Sequence, residues 1–343
     1  MKIGVVGYQG SGKSTVFELL TGVKPDPSKA FTGQVGMAEV PDERFDRLVE
    51  LFKPRKVTPA KIELFDTPGL SRDDHSVNPQ RLGIIRESAA LVQVIGAFSG
   101  ADPVKEAEQF EEELVLADLQ VVTNRIERLK KDVVKARPDR EQLAEELEAL
   151  KPLAEMLEGG QTLREVEFDE VQERATRSFS LLTRKKVLLL VNTAEPDYDE
   201  TVLNELKQRG WKAVAAPVGL ELELQQLPEE ERAEFAAEMG LAEPCRKRLL
   251  RAIFEVTDQI TFYTCGEKEV RAWLLKRGAT ALDAADTIHS DLARGFIRAE
   301  VMSADDLLRL GSEREVKAAG LHHLEGKDYV VQDGDEILIR FNV

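Results

Sequence analysis

The sequence predicts an α/β fold: a mixed, mostly parallel sheet flanked by helices, an inserted antiparallel helical hairpin, and a small C-terminal β-grasp unit. Three observations predict it. Short Val/Ile/Leu-rich runs at 2–6, 61–65, 186–191 and 213–217 are separated by helical or polar stretches, the pattern of strands buried on both faces. Residues 104–157 carry two heptad seams with a proline break between them. From residue 258 the pattern changes to strand, strand, helix and strands. The expected boundaries are 1–103 and 165–257 for the sheet domain, 104–164 for the hairpin and 258–343 for the terminal unit. A chain of 343 residues accommodates two or three such domains.

The first strand, Lys2 to Val6, runs into Gly7-Tyr8-Gln9-Gly10-Ser11-Gly12-Lys13-Ser14-Thr15, and Val16 to Leu20 continue as a helix that stops at Thr21-Gly22. This is G-x-x-x-x-G-K-[ST] between a strand and a helix, the context the phosphate-binding loop requires. Glycines at 7, 10 and 12 permit unusual backbone angles and leave room for phosphate. The N–H groups of Gly10, Ser11, Gly12, Lys13, Ser14 and Thr15 then form a concave anion nest at a helix N-terminus. Lys13 reaches the β- and γ-phosphates. Ser14 offers its hydroxyl to Mg²⁺, which prefers oxygen ligands.

The next strand, Lys61 to Phe65, ends in Asp66-Thr67-Pro68-Gly69-Leu70. An aspartate at a strand end holds Mg²⁺, usually through water. The N–H of Gly69 senses a γ-phosphate, and a loop hinged there reorders on hydrolysis. Leu70 stands where many switch GTPases carry a water-orienting glutamine, and an aliphatic chain cannot orient water by hydrogen bonding. Thr32, between the loop and Asp66, is a candidate to cap Mg²⁺. Catalysis is therefore expected from Lys13, Ser14, Asp66 and Gly69, with Ser14, Thr32 and Asp66 around the metal.

The strand at 186–191 ends in Asn192-Thr193-Ala194-Glu195, where GTPases carry N-K-x-D. Glu195 is one methylene longer than the aspartate that reads guanine, and Thr193 replaces the lysine that packs over the base. Bidentate recognition tolerates little misplacement, so ATP is expected rather than GTP. Asn192 remains able to bond the adenine edge.

These residues resemble the YchF/Obg-like ATPase family. The similarity rests on Asp66 to Leu70 and Asn192 to Glu195. It also rests on a long C-terminal match through Glu229-Glu230-Glu231-Arg232, Glu238 to Leu241, Lys268 to Trp273, Gly295 to Glu300, Glu325 to Tyr329 and Phe341-Asn342-Val343. It covers nearly the whole chain. The resemblance implies a G domain with an inserted helical hairpin, a C-terminal TGS domain, ATP preference, and association with ribosomes. Three departures mark a divergent branch. Gly10 stands where the family has an asparagine that helps coordinate K⁺ in related proteins. In the strand Leu91-Val92-Gln93-Val94-Ile95, Gln93 stands where the family often has a histidine proposed for catalysis, and glutamine is neither acid nor base near neutral pH. The segment between Leu70 and Arg86 is short and lacks a glycine-rich run.

In the hairpin, Val115, Leu119, Val122, Ile126, Leu129 and Val133 form one seam, and Leu143, Leu147, Leu150, Ala154 and Leu157 the other, with Arg137-Pro138-Asp139 between them. A cationic stretch, Arg125, Arg128, Lys130, Lys131, Lys135 and Arg137, lies toward its tip. Val218-Gly219-Leu220 follows the last sheet strand and is placed to back the base. Two helices are read over 228–257, with Gly240 and Pro244 between them. In the terminal unit, strands are read at 260–264, 269–275, 297–301, 329–331 and 337–341, with one helix over 281–291. Arg294 and Arg298 are candidates for an RNA-facing sheet. His289, His322 and His323 lack metal-ligand spacing.

Lys+Arg number 47 against 63 Asp+Glu, a net charge of −16. Bulk electrostatics therefore excludes non-specific nucleic-acid binding, and an RNA contact needs a local basic face on the hairpin or the terminal unit. No run of apolar residues is long enough for a membrane span. The chain enters a strand at once from Met1, with no signal or transit peptide, so a cytoplasmic location is expected. Cys245 and Cys265 make neither a disulfide framework nor a metal cluster. The reading is a monomeric, Mg²⁺-dependent ATPase switch associated with ribosomes. A GTPase on the same scaffold, or a ribosome-binding nucleotide sensor with little turnover, remains open. A small-molecule kinase is disfavoured by the switch-type positions of Asp66 to Gly69 and Asn192 to Glu195.

Overall fold

The protein is described from a computed structural model, over residues 1–135, 138–196, 198–239 and 244–342. Arg137, Gly240, Leu241 and Val343, which belong to sequence readings above, lie outside the described residues. The chain forms two compact units, Met1–Gly36 with Glu63–Val256, and Met37–Ile62 with Thr257–Val343.

The elements follow in chain order. They begin with β1 (Lys2–Val6), α1 (Lys13–Thr21), β2 (Gln34–Glu39), α2 (Glu43–Phe52), β3 (Lys56–Thr58) and β4 (Lys61–Asp66). Next are α3 (Asn78–Ile85), β5 (Ala90–Ile95), α4 (Pro103–Val133), α5 (Arg140–Glu158), α6 (Glu170–Thr176) and β6 (Lys186–Asn192). The first unit closes with α7 (Glu200–Gln208), β7 (Lys212–Ala216), α8 (Val218–Leu224), α9 (Glu229–Glu238) and α10 (Cys245–Val256). The second continues with β8 (Gln259–Thr264), β9 (Glu269–Lys276), α11 (Ala281–Ile288), α12 (Ser290–Arg294) and β10 (Phe296–Ser303). It ends with α13 (Ala304–Leu310), α14 (Glu313–Ala318), β11 (His323–Glu325) and β12 (Asp335–Phe341).

The first sheet has the order β2-β4-β1-β5-β6-β7. β1 pairs in parallel with both β4 and β5, and β6 with both β5 and β7. A parallel strand inside such a sheet is covered on both faces, which is why β5 is buried at every position. The register sets Val5 beside Asp66 and Val6 beside Gln93, so the carboxyl ends of β1 and β4 finish together. Helix α1 starts at once after the Gly12 turn and buries Val16, Phe17, Leu19 and Leu20. Gly22, in the left-handed region, ends it by donating to the Glu18 carbonyl.

The hairpin forms as the heptads predict. Helix α4 is capped by Asp102, whose carboxylate accepts from the Val104 and Lys105 N–H groups, and Pro103 occupies its first turn. Val115, Val122, Ile126 and Leu129 bury against Leu150, Leu153, Ala154 and Leu157 of α5. Much of the cationic stretch is internally paired: Arg125 with Glu146, Lys130 with Glu127 and Lys135 with Asp132.

The second sheet runs β11-β10-β12-β8-β9-β3. β8 and β9 form an antiparallel hairpin, β10 lies antiparallel to β12 and β11, and β12 lies parallel to β8. Ala281, Ala284 and Ala285 of α11 pack on Ile260, Phe262, Val301 and Ile337. The expected boundaries left residues 37–62 in the first domain; the structure groups them with the C-terminal segment. The reason is β3, which pairs in parallel with β9, together with Arg44, which bridges Asp333 at 2.6 Å, and Asp42, which accepts from the Tyr263 hydroxyl at 2.5 Å.

Other readings change in this unit. The single helix over 281–291 is two, because His289 is extended (φ −167°, ψ 138°) and its Nδ1 caps α12 by accepting from the Asp291 N–H. Residues 329–331 make only an isolated bridge, Val330 to Thr280, while the Tyr329 hydroxyl donates to Asp335 at 2.8 Å. Helices α13 and α14 and strand β11 have no counterpart in the sequence reading. Cys245 and Cys265 are free thiols. No helix among the described residues is long and apolar enough to cross a membrane.

Candidate functional site

The ends of β1 and β4 and the start of α1 enclose a cleft of 310 Å³ lined by Gln9, Gly10, Lys13, Ser14, Asp66 and Gly69, with residues from the 25–30 turn across the mouth. A larger hollow of 470 Å³ beside α8 and α10 contains none of these residues. Gly10 (φ 80°) and Gly12 (φ 94°) occupy the left-handed region, so the turn that aims the N–H groups inward needs glycine at both. A Cβ on Gly12 would collide with the Asn192 amide.

Lys13 is buried, and its ammonium donates to the Tyr8 carbonyl at 2.6 Å. Burial lowers its pKa to about 8, and the nearby carboxylates of Asp66 and Glu106 only partly oppose that fall. The Ser14 hydroxyl donates to Asp66 Oδ2 at 2.7 Å. Burial raises the Asp66 pKa, against the Ser14 bond and the charge of Lys13. Its other oxygen, Oδ1, is buried and has no hydrogen-bond partner among the described residues. Gly69 lies so close to the ammonium that a Cβ there would sit 2.5 Å from Lys13 Nζ. Two stretches about fifty residues apart, Lys13-Ser14 and Asp66 to Gly69, thus form one cluster.

The Gly69 loop is pinned to the phosphate loop through its main chain. The Gln9 N–H donates to the Leu70 carbonyl at 2.9 Å, and the Leu70 N–H donates to the Gly7 carbonyl at 3.0 Å. The Leu70 side chain is fully buried with Val6, Tyr8, Leu82 and Ile85. It is a core residue, not a failed water-orienting one. Gln93 is also buried, and its amide donates to the Glu106 carbonyl at 3.3 Å. Neither residue lines the cleft. Thr32 does not join the cluster either: it is exposed in a turn where its N–H donates to the Lys29 carbonyl at 3.1 Å. That turn is fixed by Asp26, which caps Ser28, and by Gln34, which accepts from the Asp26 N–H at 2.7 Å.

Asn192 is buried at the end of β6 and donates to the Ser11 carbonyl at 3.2 Å, tying the 192–195 segment to the 7–15 loop. The Thr193 hydroxyl donates to the Glu195 carbonyl at 2.7 Å, and the Glu195 side chain is exposed. Val218 is buried at the start of α8, so the segment read as backing the base begins a helix. Phe98, 47% exposed, lies beside Gly12 and Gly96. The sequence reading did not single it out, because one aromatic in a Gly-Ala-Phe-Ser-Gly turn carries no spacing signal. Two other residues carry no spacing signal either: Arg72, which bridges buried Glu106 and lies over the Tyr8 ring, and Arg81, which donates to the Gly69 carbonyl.

Comparison with known proteins decides the family. The chain is 36% identical over 364 residues to a Bacillus subtilis protein named ribosome-binding ATPase YchF, covering 99% of each chain. The chain belongs to the YchF/Obg-like family of P-loop nucleoside triphosphatases. Another relative, the rice (Oryza sativa subsp. japonica) protein named Obg-like ATPase 1, is 36% identical over 373 residues, covering 100% of this chain and 92% of that one. The solved structure of the Schizosaccharomyces pombe YchF GTPase superposes with a TM-score of 0.81 at 26% identity, over 99% of this chain and 97% of that one. The family profile YchF-GTPase_C, described as a protein of unknown function, matches residues 259–342, and one described as a 50S ribosome-binding GTPase matches residues 2–125. This YchF-family chain thus shares its fold with the S. pombe structure over nearly its whole length.

Proposed function

We propose that the chain is a Mg²⁺-dependent ATPase switch that associates with ribosomes in a nucleotide-dependent way. The observation that carries the reading is the convergence of Lys13, Ser14, Asp66 and Gly69 on one cleft at the start of α1. The donor set fits magnesium: a hydroxyl and a carboxylate in contact, with the second carboxylate oxygen buried and unpartnered. Ser14 would hold the ion directly and Asp66 through water, and the ion supplies neutralisation of phosphate charge. The amides of residues 10–15 orient the phosphates, Lys13 pairs with the β- and γ-oxygens, and the Gly69 N–H reports on the γ-phosphate. Thr32 closes over the metal only if the 25–33 turn rearranges.

Adenine is the favoured base. Glu195 is exposed and longer than the aspartate that reads guanine, and Phe98 beside Gly12 offers an apolar face that any purine can stack on. The B. subtilis and rice relatives are named ATPases, and the ribosome enters through the B. subtilis relative's name. We place the protein in the cytoplasm, as a monomer, with the C-terminal unit as a TGS-type β-grasp. Calorimetric titration with ATP, GTP and ADP, with and without Mg²⁺, tests this reading. No magnesium-linked affinity for any triphosphate overturns the site, and a hundredfold preference for GTP overturns the base assignment. Co-sedimentation with ribosomes in each nucleotide state tests the partner.

A second reading, a nucleotide sensor with little turnover of its own, is favoured by the placement of Leu70 and Gln93, neither of which reaches the cleft. Turnover of the free protein compared with turnover on ribosomes separates the two.

A further inference from the structure

Arg81 lies in α3, immediately after the Gly69 loop. The start of that helix is fixed to the loop by Asn78, whose Oδ1 accepts from the Ser71 N–H at 2.9 Å and whose Nδ2 donates to the Ser71 carbonyl at 3.0 Å. From there the Arg81 side chain turns back toward the phosphate loop. Its Nη1 donates to the Gly69 carbonyl at 2.5 Å. With the Gln9 amide oxygen facing the guanidinium, that oxygen accepts from Nη1 at 3.1 Å and Nη2 at 3.3 Å. The charge of Arg81 is felt by Lys13. Arg81 makes no ion pair among the described residues, although Asp74 lies near enough to sense it.

Two cations therefore flank Gly69, Lys13 beside its α-carbon and Arg81 on its carbonyl. The carboxylates near them are already engaged: Asp66 by Ser14, Glu106 by Arg72 and Asp74 by Ser76. Two like charges held together beside carboxylates that are already engaged favour an anion of high charge. The positions where related switches carry a K⁺-coordinating asparagine, a water-orienting glutamine or a histidine offer the cleft no such group here: Gly10 has no side chain, Leu70 is in the core, and the Gln93 amide is occupied.

We infer that Arg81 supplies, from within the chain, the positive charge that stabilises phosphoryl transfer, leaving the Gly69 carbonyl for the γ-phosphate oxygens. The inference rests on the ATPase reading above. In the step it assists, a water oxygen bonds to the γ-phosphorus while the bond from that phosphorus to the β-bridging oxygen breaks. The bonding pair stays on ADP, and the water proton passes to the released phosphate. The guanidinium keeps its own protons throughout. It adds directed donors as charge redistributes, the role an arginine plays in cis or in trans in other P-loop switches.

The test compares wild type, R81A and R81K. The measurements are fluorescent ADP binding with and without aluminium fluoride, single-turnover ATP hydrolysis, thermal melting, and hydrolysis with added guanidinium ion. For R81A the expected result is unchanged melting, ADP affinity within about threefold, and a loss of about a hundredfold both in hydrolysis and in the aluminium-fluoride-dependent tightening. Added guanidinium restores part of the R81A rate and leaves wild type unchanged. R81K, which keeps charge without the fork, keeps ADP affinity and loses at least about tenfold in hydrolysis. Wild-type hydrolysis and tightening in R81A overturn the inference. So does a parallel loss of ADP affinity and melting temperature in both variants, which marks Arg81 as a loop brace. Failure of the ATPase reading looks different: wild type itself then binds no magnesium nucleotide.

Discussion

The hydroxyl of Ser14 donates to the Asp66 carboxylate at 2.7 Å, and the other Asp66 oxygen is buried without a partner among the described residues. One group comes from α1 and the other from β4, and a buried carboxylate oxygen left without a partner costs stability. The folded-state pKa of Asp66 is raised by burial, so the fold binds more protons there than the unfolded chain. Stability from this group therefore falls as pH rises through the ordinary carboxylate pKa toward the raised one. Asp66→Asn removes that cost. The nucleotide-free variant should melt at or above the wild-type temperature at neutral pH, while its Mg²⁺ requirement for ATP binding rises by about 10- to 100-fold. A magnesium titration of fluorescent ATP binding checks the second half; unchanged magnesium dependence removes Asp66 from the metal site.

Lys13→Ala should leave the fold intact and reduce ATP turnover by about 10²- to 10³-fold or more, the loss expected for one preorganised charge donor at the transferred phosphate. Burst and steady-state phosphate release are the measurements. Turnover within a fewfold of wild type refutes the assignment.

Nucleotide binding should take up protons near pH 8. Free Lys13 has a pKa lowered to about 8, so at that pH about half the molecules carry a neutral amine. Bound phosphates hold it as an ammonium and raise the pKa, so about half a proton enters per ATP at pH 8 and almost none at pH 6. Calorimetry in buffers of different ionisation enthalpy reads this number. Independence from buffer at both pH values contradicts it. In the nucleotide-free protein the same lowered pKa means that the unfolded chain binds the extra proton, so stability from this group rises as pH climbs from about 8 toward the ordinary lysine value.

Leu70→Gln should not create a faster ATPase. Leu70 is fully buried with Val6, Tyr8, Leu82 and Ile85. Placing an amide there loses apolar burial and strands a polar group, a cost of about 2–4 kcal/mol. Chemical denaturation should show that loss with turnover unchanged or lower. A glutamine variant of wild-type stability and higher rate would falsify the core placement.

Phe98→Ala should weaken binding of ATP and ADP by about 1–3 kcal/mol, the range for loss of one base–aromatic stack, and leave inorganic triphosphate binding unchanged. Equal losses for triphosphate and ATP place Phe98 in the phosphate loop's support rather than at the base.

The sequence by itself determined the phosphate loop, the Asp66 to Gly69 segment, the Asn192 to Glu195 segment and the hairpin. Each is a local code: glycine positions set backbone angles, a strand end places an acid, and heptad spacing sets a helix face. The family was legible for the same reason, since its signatures are contiguous. Tertiary structure alone decided the rest. Leu70 and Gln93 read as polar-site positions by alignment, but packing draws the first into the core and gives the second a carbonyl partner. Thr32 depended on a turn whose shape Asp26 and Gln34 set, and Phe98 and Arg81 on where a short turn and a helix aim one side chain. The membership of residues 37–62 in the second unit rests on a three-residue edge strand, β3, whose partner is more than two hundred residues away. Such contacts are fixed by the burial and hydrogen bonding of the whole fold, and no window of sequence around either partner contains them.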